Sequence, residues 1–108
     1  MKLIIAVVQN KDASKLQSSF IKKQIYATKL STTGGFLKSG NTTYMMGIED
    51  KRVPEVLDLI KSISKTRKKF MTPPVNLDSG DNESSFPVRV QVGGATIMIL
   101  PMDKLYHF

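Results

Sequence analysis

The apolar residues of this chain fall into segments whose repeat switches between two residues and 3.6, and the order of those switches most restricts the fold. Leu3-Ile4-Ile5-Ala6-Val7-Val8 is a short continuous apolar run, the pattern of a strand buried on both faces. Asp12 or Ser14 can cap a helix after it, with Ala13, Leu16 and Phe20 at helical spacing and Lys15, Lys22 and Lys23 toward water. Ile25 to Thr32 is rich in β-branched residues and suits a second strand, and Thr42, Tyr44, Met46 and Ile48 alternate along a third. Val53, Val56, Leu57, Ile60 and Ile63 form the stripe of a second helix, with Asp50 and Glu55 near its positive end and Pro54 in its first turn. Val88–Val92 and Ala95–Leu100 come last, and Gly93-Gly94 between them reads as a tight hairpin.

Strand, helix, strand, strand, helix, strand is the ferredoxin-like split βαβ order. The expected fold class is therefore α+β, βαββαβ with an extra C-terminal strand from the hairpin. Two helices cover one face of such a sheet and leave the other bare, which points to self-association. At 108 residues the chain suits one domain, residues 1–108, and its 41% hydrophobic content is adequate for a single core. So small a core leaves little interior volume, so a ligand belongs in a surface cleft or between subunits. Two loops interrupt the pattern: a short one at 33–40, and a long one at about 70–87 with Pro73-Pro74, Gly80 and the acidic Asp78, Asp81 and Glu83.

Composition removes several function classes. The chain has no cysteine, hence no disulfide, thiolate nucleophile or ordinary zinc motif, and its single histidine is His107. One chain thus lacks a Ser-His-Asp triad or a histidine-rich metal site, and the protein is expected not to be an enzyme. The apolar run after Met1-Lys2 is too short for a leader or a membrane span, so the expected location is the cytoplasm. A net charge of +7 favours an anionic partner, although Lys61, Lys65, Arg67, Lys68 and Lys69 also suit the end of a helix, where cations complement the dipole. Asp78, Asp81 and Glu83 lack the ligand spacing of a calcium loop, and Met45, Met46, Met98 and Met102 read as strand packing. No resident metal or cofactor is expected.

The short loop holds the most suggestive chemistry. Gly34, Gly35 and Gly40 surround Phe36 and Leu37, with Thr32, Thr33, Asn41, Thr42 and Thr43 beside them. Glycines let backbone N–H groups approach a phosphate, hydroxyls add neutral donors, and an aromatic ring offers a surface for a base. Asn41 could supply a paired donor and acceptor. On spacing alone, a nucleotide pocket and a flexible hairpin with Phe36 tucked against the core are equally open. Neither GxGxxG nor the Lys-Ser/Thr of a triphosphate loop is present, so nothing supports triphosphate hydrolysis.

The stretch Ala27-Thr28-Lys29-Leu30-Ser31-Thr32-Thr33-Gly34-Gly35-Phe36-Leu37-Lys38-Ser39-Gly40-Asn41-Thr42-Thr43 closely resembles the cyclic di-AMP-binding branch of the PII-like signal proteins. The likeness extends to Met1-Lys2-Leu3-Ile4-Ile5-Ala6, to Asp50 and Arg52-Val53, to Val92-Gly93-Gly94-Ala95-Thr96 and to Pro101-Met102-Asp103. It implies a PII-like homotrimer that binds cyclic di-AMP between neighbouring subunits and relays its ligand state to a downstream protein through its loops. Matching residues imply Thr28 at phosphate, Gly35, Phe36 and Leu37 around adenine, Asn41 polar to the nucleotide, Gly47 giving close backbone approach, and Ala27 beside them. A short loop between the second and third strands and a long loop before the last strands also fit that branch. Gln24 and Tyr26 stand where it carries asparagine and arginine, which removes the charged donor fork of a guanidinium. The alternatives are a PII-like sensor of another nucleotide such as ATP, and a small RNA-binding βαββαβ domain. Against the latter, the aromatic sheet motif of RNA-binding domains is missing.

Overall fold

The computed structural model describes residues 1–30, 40–71 and 88–108. Its elements are β1 (Lys2–Gln9), α1 (Asn10–Lys22), β2 (Thr28–Leu30), β3 (Asn41–Ile48), α2 (Val53–Ser64) behind a short 3-10 turn, β4 (Arg67–Met71), β5 (Val88–Val92) and β6 (Ala95–Pro101). Four strands form one antiparallel sheet in the order β2-β3-β1-β6, and β4 and β5 form a separate two-stranded ribbon. With both helices against one face, this mixed α+β arrangement is compatible with a ferredoxin-like fold.

Strand pleating decides which residues make the core. Ile4, Ala6 and Val8 of β1 and Tyr44, Met46 and Ile48 of β3 turn to the helices and are buried against Leu16 and Phe20 of α1 and Val56 and Ile60 of α2. Phe20 meets Tyr44 edge-on at 5.5 Å between ring centroids, worth about 0.5–1.5 kcal/mol beyond the burial itself. The Tyr44 hydroxyl donates to the Ala13 carbonyl at 3.2 Å, and burial raises its pKa. By the same alternation Leu3, Ile5, Val7, Met45, Met98 and Leu100 share the other face, which no helix covers among the described residues. The first strand is therefore fully buried on one face only, and the bare apolar face expected of the sheet is present.

The structure corrects several local expectations. Val88–Val92 and Ala95–Leu100 do not make a hairpin: β5 pairs with β4, while β6 runs beside β1, with Lys2 opposite Pro101 and Val8 opposite Ala95. Gly93 (φ +82°) and Gly94 (φ +104°) instead carry the chain from one sheet to the other. The fourth place in the main sheet is thus taken by β6, and the additional strand belongs to the ribbon. Helix α1 starts at Asn10, ahead of both expected caps, with Gln9 in the extended N-cap conformation and the Asn10 N–H on the Gly40 carbonyl at 2.8 Å.

Asp12 lies inside the first turn of α1, where it is buried and receives Arg67 of β4 at 2.8 Å. The basic cluster is likewise divided. Lys61 is in the last turn of α2 and Lys65 caps it, whereas Arg67, Lys68 and Lys69 belong to β4. Ile25, expected in β2, precedes that strand and is buried in the core. Of the two loops only their margins are described: Gly40 at the end of the short one, and Phe70 and Met71, which extend β4.

Candidate functional site

Two of the expected site residues share one groove. Thr28 opens β2 opposite Met45, and Gly47 lies two residues further along β3. Together with Leu3, Tyr26, Met102, Leu105, Tyr106 and His107 they line a groove of about 440 Å³ on the uncovered side of the sheet. After β6 the chain folds back over β3 to form the outer wall. Gly47 explains how it fits, because a Cβ there would stand 2.6 Å from Leu105 Cδ1 and 3.3 Å from Met102 Cε. At Gly47, where the family resemblance implied a close backbone approach to the nucleotide, the chain's own tail packs in the structure. Ala27 packs against the core, and its neighbour Tyr26 is 87% exposed at the groove.

Asn41 is elsewhere. It is the exposed first residue of β3 and lines a second cleft of about 350 Å³ with Gln9, Thr66, Gly93, Gly94 and Thr96. Gly47 lies six residues further along β3, about 20 Å at strand rise. Several donors around this cleft are already engaged. The Gly93 N–H donates to Gln9 Oε1 at 2.8 Å, the Gly94 N–H to the Ser64 carbonyl, and Thr42 Oγ1 to Asn10 Oδ1 at 2.5 Å. Gly35, Phe36 and Leu37, and the acidic Asp78, Asp81 and Glu83, lie outside the described residues.

The departures Gln24 and Tyr26 flank a smaller cleft that also includes Gly47, Glu49 and Arg52 and adjoins the first groove. Gln24 is left-handed, φ +56°, because it closes α1: its N–H bonds the Ile21 carbonyl at 3.1 Å and the Ile25 N–H bonds that of Phe20 at 2.8 Å. Arg52 completes this end by donating to the Lys23 carbonyl at 2.9 Å and the Gln24 carbonyl at 3.3 Å. It also pairs with Glu55 at 3.3 Å, and that hydrogen bond holds the Glu55 carboxyl below its usual range against an opposing desolvation, with smaller help from the charges of Arg52 and Lys23. Asp50 receives the Met1 amino group at 3.1 Å. Asp50 and Arg52, two positions that carried the family resemblance, therefore have structural partners.

Leu105, Tyr106 and His107 escaped the sequence reading because nothing in their spacing marks them. Their place follows from the tail folding across Gly47, a contact between positions far apart in the chain. Among the described residues no three His, Asp or Glu side chains gather into a metal site, and no helix is long and apolar enough to cross a membrane.

The structure is that of a small mixed α+β domain, compatible with a ferredoxin-like fold, with clefts of about 350 and 440 Å³ among the described residues. Comparison with known proteins makes the class specific: the chain belongs to the Cyclic-di-AMP receptor family, which matches it over residues 1–108. It is by that membership a nucleotide-binding signalling protein. It also resembles a functionally unknown protein from Pediococcus pentosaceus ATCC 25745, known from its crystal structure, at 55% identity and a TM-score of 0.80, over 99% of this chain and 96% of that one.

Proposed function

We propose that this protein is a non-enzymatic sensor that holds cyclic di-AMP in clefts between the subunits of a homotrimer and relays its ligand state to a protein partner through rearrangement of its loops. Family membership supports the ligand. Support for a shared site comes from the separation of its parts: Thr28 and Gly47 line one cleft, and Asn41, beside loop 33–40, lines another. A ligand touching all of them needs the groove of one subunit and the Asn41 end of its neighbour. Thr28 then serves phosphate, Gly35, Phe36 and Leu37 surround adenine, and Asn41 addresses a polar edge, with Ala27 and Gly47 shaping the floor. The charge of +7 suits a dianionic ligand.

Thermal-shift and calorimetric titration with cyclic di-AMP, cyclic di-GMP, ATP and short RNA test this reading. Cyclic di-AMP should raise the melting temperature most and return chemically intact after long incubation. A larger effect of ATP or RNA would overturn the ligand assignment, and reproducible linear dinucleotide would overturn the non-enzymatic one. Base–aromatic stacking contributes roughly 1–3 kcal/mol, so Phe36→Ala should weaken binding by about one to two orders of magnitude and leave the apo melting temperature near wild type.

A further inference from the structure

We infer that Asn10, the first residue of α1, is a positioning residue for the nucleotide: it holds the start of β3 so that the Asn41 side chain is presented to the ligand. The inference rests on the reading that cyclic di-AMP touches Asn41, and it adds a residue that acts on the ligand only through Asn41. Asn41 lines the cleft of about 350 Å³, whereas neither Asn10 nor Thr42 is among the residues around it.

The start of β3 needs such a hold. The chain enters the strand through Gly40 at φ +95°, a conformation that glycine adopts freely. Among the described residues, Asn41 and Thr42 are paired on one side only, with Gln9 and Val8 of β1, because the pairing of β2 with β3 reaches no further than Leu30 opposite Thr43. Asn41 opposite Gln9 is also the last pair of the β1–β3 ladder, and element ends open most readily. The Gln9 side chain is used elsewhere, its Oε1 accepting the Gly93 N–H at 2.8 Å.

Asn10 grips both neighbours of Asn41. Its backbone N–H donates to the Gly40 carbonyl at 2.8 Å, and its Oδ1 accepts the Thr42 hydroxyl at 2.5 Å. The first bond fixes the glycine, and the second anchors the buried Thr42 on the helix side of the sheet. Successive strand residues point to opposite faces, so a Thr42 anchored inward turns Asn41 to the face that carries Met45 and Gly47. A side chain set in place before the ligand arrives loses less freedom on binding, so this positioning is read as affinity.

Calorimetric titration of the full chain with cyclic di-AMP compares wild type, Asn10→Ala, Thr42→Val, Asn41→Ala and Asn10→Ala combined with Asn41→Ala. Asn10→Ala removes the Oδ1 acceptor and keeps the backbone bond to Gly40, while Thr42→Val removes the hydroxyl and keeps a β-branched strand residue. Each should weaken binding by roughly three- to tenfold, the range of one hydrogen bond, with the mass in solution unchanged. In the Asn41→Ala background, Asn10→Ala should cost nothing further, because the group it positions is gone. Thr42→Val, paired with Asn41→Ala in the same way, repeats the comparison with the helix residue untouched. Wild-type affinity in Asn10→Ala, or the same loss with and without the Asn41 side chain, overturns this inference alone. Wild-type affinity in Asn41→Ala removes Asn41 from the site and the inference with it, while the choice of ligand stands. Failure of the wild type to bind cyclic di-AMP overturns the functional reading as well.

Discussion

Arg52 shows how much one side chain does at the end of an element. Its guanidinium satisfies two carbonyls at the close of α1 and ties that end to the start of α2 through Glu55. Arg52→Ala strips charged donors from both carbonyls and should destabilise by about 1–2 kcal/mol. Calorimetry should register that as a melting temperature lower by roughly 4–8 °C. Acid narrows the difference. Because Glu55 is held below its ordinary pKa in the folded protein, its share of the stability is present above the unfolded value and disappears as pH falls through the folded one. A gap between Arg52→Ala and wild type that widened on acidification would contradict this. Gln24 is the opposite case, an L-residue in a left-handed conformation that glycine adopts freely. Gln24→Gly should raise stability by about 1 kcal/mol, read as a higher denaturant midpoint at constant slope.

At the scale of elements, the ribbon of β4 and β5 is fastened to the body by a few polar contacts. Arg67 reaches the buried Asp12 at 2.8 Å and also donates to the Lys65 carbonyl at 3.1 Å, while Gly93 is held by Gln9. Asp12 is 5% exposed and its Oδ2 has no hydrogen-bond partner, so Arg67→Ala leaves an unpaired buried carboxylate. That should cost about 2–3 kcal/mol in urea unfolding, and pairing it with Asp12→Ala should recover part of the loss in a double-mutant cycle. Equal and additive losses would show that the pair carries no coupling. The ribbon is also where the sequence was least legible. Helix α2 could be read because Pro54, Glu55 and the apolar stripe are local signals, β1 because a short continuous apolar run is local too, and β3 because of its period-two alternation. Strand β4 resembled a basic helix end because Arg67, Lys68 and Lys69 say nothing about their partner. Gly93-Gly94 looked like a hairpin because two glycines permit a turn without choosing which strands pair. In the groove, Thr28 stands in the motif that carried the resemblance, whereas the place of Leu105 and Tyr106 beside it was not legible, since it depends on the tail's return to β3.

For the whole molecule the uncovered sheet face is the dominant feature. Met98 and Leu100 remain 45% and 43% exposed there, in line with Leu3, Ile5 and Val7 across the strands. Association of subunits through this face would bury it, and light scattering after size exclusion should give the mass of a trimer. Leu100→Lys places a charge on that face at an exposed position and should shift the mass toward monomer while circular dichroism stays near wild type. A wild-type monomer at micromolar concentration would remove the basis for a shared site. The order β2-β3-β1-β6 has one more consequence, for synthesis on the ribosome. Strand β1 is made first, yet one of its edges stays open until the segment around residue 100 has emerged to pair with it. Until then a nascent chain can pair β1 with β3 but keeps a row of free backbone donors and acceptors beside Ile4, Ala6 and Val8. The sheet therefore closes late in translation, through its most sequence-distant contacts, and chains cut short before β6 should be prone to aggregate.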